Sequence, residues 1–229
     1  MKKVIILSGA GMSAESGIKT FRDSDGTWEN HRIEDVATPQ AWQKNKQLVL
    51  DFYNQRRRQL LEVSPNEGHC ALKKLEDYFD TKIITQNVDD LHERAGSKNV
   101  LYLHGELLKV RSTKDENLIY EWKKDLLIGD VCEKGHQLRP HIVWFNEDVP
   151  MIEIAAKLIS DADIVIVIGT SMVVYPAASL VYHTSENCRF YVINPDKNAK
   201  VTGINNITYI NKNAAESVPT LVDELIKSI

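Results

Sequence analysis

The chain has 229 residues, a net charge of −4, 43% hydrophobic and 26% charged residues. That composition builds a core without disulfide staples and sets up no field that gathers nucleic acid or an anionic membrane. Three scattered cysteines, Cys70, Cys132 and Cys188, argue against a disulfide framework and fit a reducing compartment. The start has only a short apolar run, and no stretch nears the ~18 apolar residues of a membrane span. A secreted protein, a membrane protein and a disordered tail are therefore not expected, and a cytoplasmic location is.

In chain order, apolar β-branched runs at 4–7, 82–85, 100–103, 142–145, 164–168, 190–193 and 207–210 predict strands. Several are continuous rather than alternating, as strands covered on both faces are, so a mainly parallel sheet is expected. Amphipathic stretches predict helices at about 40–63, 65–78, 89–95, 151–160, 177–184 and 213–227. Strands alternating with helices give the α/β class, here a Rossmann-like doubly wound parallel sheet. Residues 28–65, with a long helical pattern and no strand, and the polar 106–140 interrupt the alternation. They are expected to pack together as a small lobe, leaving 1–27, 66–105 and 141–229 to the nucleotide-binding domain.

Directly after the first predicted strand, Gly9, Ala10, Gly11, Ser13 and Ala14 fall in a G-x-G-x-x-G/A spacing. Glycines there permit a tight turn and close approach to a pyrophosphate, which helix N–H groups then face. Many α/β turns are glycine-rich for structural reasons alone, so the continuation matters. A hydride dehydrogenase runs on into a helix and a second strand ending in an acid about 20 residues later. Here residues 15–28 are a polar, aromatic loop instead. Phe21 is a candidate to shield a reactive ribose from water, and Arg22 to steady phosphate or the loop. The plain alternative is a surface loop with one buried phenylalanine.

The predicted strand at 82–85 ends in Gln86, Asn87 and Asp89, and that at 100–103 ends in His104-Gly105. Ligands of open α/β sheets sit beyond the carboxyl ends of strands. Amide, acid and imidazole groups therefore converge on the crevice that the glycine loop faces. A lone histidine is more often structural. One at a strand end, before glycine and opposite a cofactor loop, reads better as a general base.

Taken together, residues 9–18, 20–22, 85–89, 103–105, 143–147 and 169–171 resemble the sirtuin family of NAD-dependent protein lysine deacylases, with the motifs in the family's order. The resemblance implies that NAD binds extended, with nicotinamide in an inner pocket near Asn87 and Asp89. The acyl-lysine carbonyl oxygen attacks the ribose carbon, nicotinamide leaves, and His104 acts as base toward a ribose hydroxyl. The products are free lysine, nicotinamide and 2'-O-acyl-ADP-ribose, and His104 and Asn87 carry the catalysis. It also implies that Gly169, Thr170 and Ser171 meet ribose and phosphates, that Asn194 reaches the adenine ribose, and that Ala214 lies near adenine. Two segments, Val143, Trp144, Phe145 and Glu147 in one and Val174 and Tyr175 in the other, are expected to hold the substrate peptide as an added strand. The partner implied is an acyl-lysine protein, with no nucleic acid or membrane, and a monomeric enzyme is expected.

The long helical pattern contains Tyr53 and Arg56, which share a helix face at i and i+3; spacing alone also permits Arg57. A phenol beside a guanidinium suits a carboxylate. Tyr-x-x-Arg resembles the signature of the sirtuin branch that removes succinyl, malonyl and glutaryl groups, and this resemblance favours Arg56. Ala37 resembles that branch too, where its small side chain leaves room for a longer acyl chain. Desuccinylase and demalonylase activity with some deacetylase activity is expected.

The sequence departs from the family in two places. Sirtuins usually carry four cysteines after the His-Gly motif. Here Ser112 stands where the first pair begins, and only Cys132, with His136 four residues on, remains. Four ligands are needed for a structural zinc site, so no bound metal is expected. Apolar packing of Leu118, Ile119, Tyr120, Trp122, Leu126, Leu127 and Ile128 is then expected to hold the lobe. Cys70 and Cys188 read as small buried hydrophobes. Asn146 replaces a usual glycine, in a turn asparagine tolerates at positive φ. The rival functions are a dehydrogenase, an ADP-ribose-binding module without catalysis, and a protein ADP-ribosyltransferase.

Overall fold

A computed structural model describes residues 1–19, 31–172 and 174–229, together with the backbone of 27–28. The elements run β1 (Lys3–Ser8), β2 (Thr27–Trp28), β3 (His31–Arg32), α1 (Ile33–Val36), α2 (Pro39–Lys44), α3 (Lys46–Glu62), α4 (Glu67–Leu75) and β4 (Asp80–Thr85). They continue as α5 (Leu91–Arg94), β5 (Val100–Tyr102), β6 (Gly105–Ser112), β7 (Ile119–Glu121), β8 (Leu138–Ile142) and α6 (Ile152–Ser160). The last are β9 (Ile164–Ile168), β10 (Arg189–Ile193), β11 (Ile207–Ile210) and α7 (Ala214–Lys227).

Six strands form one parallel sheet in the order β11-β10-β9-β1-β4-β5. The order reverses between β1 and β9, which is where an open α/β sheet leaves a crevice at its carboxyl edge. Continuous apolar runs are what this position demands, because successive side chains point to opposite faces and both faces are covered. Val4 and Ile6 join Ile164, Ile166 and Ile168 in a core closed by α4 and α7. Ile5 and Leu7 join Val165 and Val167 in a second core closed by α6 and the turn of helix at Ala177–His183.

A third core draws on α1, α2, α3 and on β6 to β8, with Val49, Phe52, Leu60, Leu108, Val110 and Leu138 all buried. The two interruptions of the sequence pattern thus share one apolar cluster beside the sheet. β6 pairs with β7 and β8 in an antiparallel three-stranded sheet. Among the described residues no helix is long and apolar enough to cross a membrane.

Several expectations need correction. Residues 142–145 form no strand of the parallel sheet: β8 ends at Ile142 in the small antiparallel sheet, and the chain then turns as a loop. The pattern at 40–63 is two helices, because Asn45 turns its side chain onto Leu48 N at 3.0 Å and caps α3. Residues 177–183 wind as 3₁₀ helix. The polar 106–140 segment carries three strands. Its apolar residues are not a uniform core: Leu126 is buried, whereas Ile119, Leu127 and Ile128 are 43%, 54% and 58% exposed. Cys70 is exposed on α4, and only Cys132 and Cys188 are buried.

Candidate active site

The carboxyl edge of the sheet places each strand-end residue. Gly9 N–H donates to Ile168 O at 2.9 Å and Gly11 N–H to Gly169 O at 2.8 Å. A Cβ at Gly9 would stand 2.7 Å from Thr170 Cβ, and one at Gly11 2.7 Å from Gly169 Cα. Gly169 itself has φ +61, with its Cβ position 2.4 Å from Met12 N. These glycines therefore let two backbones cross at the switch point, a reason beyond approach to a ligand. The segments that follow, Ala10–Met12 and Ala14–Ser16, are 3₁₀ turns. Among the described residues 10–19 no α-helix opens after this glycine turn, where helix N–H groups were expected.

Buried polar groups lock the floor of the crevice. Ser13 Oγ–H donates to Asp89 Oδ2 at 2.9 Å and accepts from Asn87 Nδ2 at 3.2 Å. Asn87 Nδ2 also donates to Gly9 O at 3.0 Å, and Asn87 N–H donates to Thr85 Oγ1 at 3.0 Å. Burial pushes the Asp89 carboxyl up to about 6, against the Ser13 hydrogen bond that holds it down. Across the crevice Gln86 Nε2 donates to Thr170 Oγ1 at 3.2 Å, and Asn194 Nδ2 donates to Thr170 O at 2.8 Å.

His104 leaves β5 with its Nδ1 2.9 Å from Gln86 O. A carbonyl only accepts, so in the neutral ring the proton sits on Nδ1 and the Nε2 lone pair is free to take another. Burial holds this histidine below its ordinary pKa, against the Gln86 carbonyl. Gly105, at φ +83, has a Cβ position 2.1 Å from His141 O, so glycine alone lets β6 start against β8 directly after His104.

One cavity of about 400 Å³ joins these parts. Gly9, Ala10, Ser13, Gln86, Asn87, Asp89 and His104 line it on the sheet side. Gly169, Thr170, Ser171, Val174 and Tyr175 line the side beyond β9. Ala37, Tyr53 and Arg56 line it from the helices, and Val143, Trp144, Phe145 and Glu147 from the loop after β8. Gly11, Ala14, Asn194 and Ala214 are not on the cavity, and Asn194 reaches its wall by the hydrogen bond to Thr170 O. Phe21 and Arg22 lie outside the described residues.

On α3, Tyr53 is 1% exposed and its hydroxyl accepts from Trp144 Nε1 at 3.0 Å. Burial raises its pKa, with Trp144 opposing. The Arg56 guanidinium lies 4.3 Å from the Phe52 ring centroid. Arg57 points elsewhere, donating to Leu107 O at 3.2 Å and Asn54 Oδ1 at 2.7 Å. Of the two arginines that spacing permitted, Arg56 is the one on the cavity.

The loop 143–147 is tied at both flanks: Val143 N–H donates to His104 O at 2.9 Å, and Phe145 N–H to Ala37 O at 3.0 Å. Asn146 holds φ +68, as its place in the turn suggested. The Glu147 carboxylate accepts from Arg139 at 2.6 and 3.0 Å, Arg111 at 3.4 Å and Trp144 N at 2.8 Å. These contacts give Glu147 a role in shaping the loop. Sequence reasoning missed Gln59, which also lines the cavity. Its i+3 spacing from Arg56 was the available signal. It also missed the Arg111–Arg139–Glu147 network, whose members lie far apart in the chain and left no local signal.

The family model described as Sir2 family matches residues 9–176. The chain belongs to the Sir2 family. A relative from Helicobacter pylori strain J99, named NAD-dependent protein deacylase, is 56% identical over 99% of this chain and 97% of its own. One of the same name from Bacteroides thetaiotaomicron is 48% identical over 99% of both chains. A solved Sir2 homologue in complex with NAD is 40% identical, covers 99% of this sirtuin and 90% of itself, and has TM-score 0.86. A Sir2 structure with a deacetylated p53 peptide and 3'-O-acetyl ADP-ribose is 29% identical over 96% and 92%, with TM-score 0.81.

Cys132 Sγ–H donates to Ser112 Oγ at 3.4 Å, and Cys132 N–H donates to His136 O at 2.9 Å. Among the described residues no three His, Cys, Asp or Glu side chains gather to hold a metal ion.

Proposed function

We propose that this sirtuin removes succinyl and malonyl groups, and acetyl groups less selectively, from protein lysines with consumption of NAD. The observation that carries the acyl preference is that Tyr53 and Arg56 line the same cavity as His104. NAD-dependent protein deacylation is the family's chemistry at this level of identity.

The residues present fit NAD. The crossing glycines leave backbone, not side chains, at the sheet's switch point, and Gln86, Asn87, Asp89, Thr170 and Ser171 supply polar groups around it. Bound NAD supplies an electrophilic ribose carbon and nicotinamide as leaving group. Asn87, held by Ser13 and Gly9, and Asp89 would hold the nicotinamide end. With Nδ1 committed to Gln86 O, His104 would accept a proton at Nε2 from a hydroxyl of the bound ribose. Apolar Ile18, Leu107, Val88 and Ile142 line the same cavity and exclude water from the reacting atoms.

For the acyl end, Arg56 offers a planar fork and Tyr53 an O–H to one carboxylate. Loop 143–147 and Val174–Tyr175 face the same opening and suit an extended peptide. Backbone pairing of that kind tolerates many sequences. The small lobe, in this reading, keeps its shape through its apolar cluster and the Ser112–Cys132 contact, without a structural metal, and the enzyme works as a cytoplasmic monomer.

The test is mass spectrometry of succinyl-, malonyl- and acetyl-lysine peptides with protein and NAD. Free lysine and acyl-ADP-ribose are expected. A mass gain on protein would point to ADP-ribosyl transfer instead. Tyr53→Phe and Arg56→Met are expected to reduce succinyl turnover far more than acetyl turnover. Equal losses on the two substrates would remove the carboxylate pocket.

A further inference from the structure

Tyr53 can serve a carboxylate only as a donor, because a carboxylate has no proton to give. A phenol hydroxyl is two-faced, however. Its oxygen can accept one hydrogen bond while its proton is donated in another direction. The indole N–H of Trp144 resolves this. It donates to Tyr53 Oη at 3.0 Å, and an indole nitrogen can only donate. The Tyr53 proton is thereby turned away from Trp144.

We infer that Trp144, braced by Arg139 and Glu147, is a specificity-determining residue that sets Tyr53 as a hydrogen-bond donor toward the acyl carboxylate. This rests on the carboxylate-pocket reading above and adds to it the group that orients the pocket.

The brace is rigid for stated reasons. Trp144 is 2% exposed. The Arg139 guanidinium lies 3.3 Å from its ring centroid, and Trp42 packs at 5.8 Å between centroids. Arg139 is itself fixed by a two-pronged pair with Glu147 and by donation from Nη2 to Ile142 O at 3.0 Å. Glu147 closes the ring by accepting from Trp144 N at 2.8 Å. The indole plane, and so the direction of its N–H, is held by the Arg139 guanidinium over the ring, by Trp42 beside it and from its own backbone. Burial keeps the Tyr53 phenol protonated, so a proton is always there to direct.

The experiment measures kcat/KM on succinyl- and acetyl-lysine peptides of one sequence for wild type, Trp144→Phe, Tyr53→Phe and the double variant. Losses common to both substrates cancel in the succinyl-to-acetyl ratio. That ratio is expected to fall about tenfold in Trp144→Phe, as for loss of one buried hydrogen bond. The loss should lie mainly in KM. In the Tyr53→Phe background the same change is expected to move the ratio no further, which a merely structural role for Trp144 would not produce. If Trp144→Phe does not fold, benzothienylalanine at position 144 keeps the ring shape and replaces the N–H by sulfur. An unchanged ratio in either variant, with Tyr53→Phe still discriminating, overturns the inference alone. An unchanged ratio in Tyr53→Phe overturns the carboxylate pocket beneath it.

Discussion

At the scale of single residues, the chemistry turns on which atom carries a proton. His104 gives Nδ1–H to Gln86 O and keeps Nε2 as the basic atom. Burial lowers its pKa, so the neutral form persists below the ordinary value near 6.5. The acid limb of kcat/KM is therefore expected below pH 6.5, and a limb above 7 would contradict the assignment. His104→Ala is expected to lower kcat by about 10²–10⁴, the usual worth of a positioned base. Undiminished turnover in that variant would remove His104 from the reaction. Asp89 goes the other way. It is a carboxyl pushed up to about 6 by burial, with hydrogen bonds from Ser13 and the Leu91 backbone favouring its charged form.

At the scale of elements, helix α3 does two jobs with one stretch of sequence. Tyr53 and Arg56 face the cavity, while Asn54 and Arg57 turn to the small lobe. Asn54 Nδ2 donates to Leu126 O at 2.9 Å, and Asn54 Oδ1 accepts from Leu126 N at 2.8 Å and from Arg57 Nη1. A single amide thus ties both backbone groups of Leu126, as a strand neighbour would. Asn54→Leu leaves those groups and Arg57 Nη1 buried without this partner, while Arg57 Nε keeps Leu107 O. It is expected to lower stability by about 3 kcal/mol, read from urea unfolding midpoints. A shift under half of that would mean water or relaxation replaces the clamp. The helix pattern was legible in the sequence, because apolar spacing marks a face. The division of labour between i+3 and i+4 arginines was not, because 3.6-residue periodicity brings both near Tyr53 and only packing against β6 separates them.

For the whole molecule, stability depends on buried neutral histidines. His69 and His92 are at most 1% exposed and stack edge-on at 4.9 Å, and burial lowers them to about 4 and about 3. Their folded pKa values lie below the unfolded 6.5, so their contribution is complete above pH 6.5. It is lost as pH falls toward 4, at about 1.4 kcal/mol per pH unit each. Asp89, raised in the folded state, opposes this once below pH 6. His141, lowered to about 4 by burial and by Arg111, adds to the loss, so the net expectation is a Tm lower by at least roughly 10 °C at pH 4.5 than at pH 7; a flat profile would contradict it. The sequence by itself determined the sheet, through continuous β-branched runs that only a doubly covered parallel sheet accommodates. It also determined the strand-end chemistry, because Gln86, Asn87, Asp89 and His104 follow directly on those runs. Tertiary structure alone decided that 142–145 is a loop over the cavity and that Glu147 and Arg139 brace Trp144 against Tyr53, and it placed on the cavity the Arg56 that motif resemblance, not spacing, had favoured. Those outcomes depend on contacts between residues tens of positions apart, where local propensity has no reach.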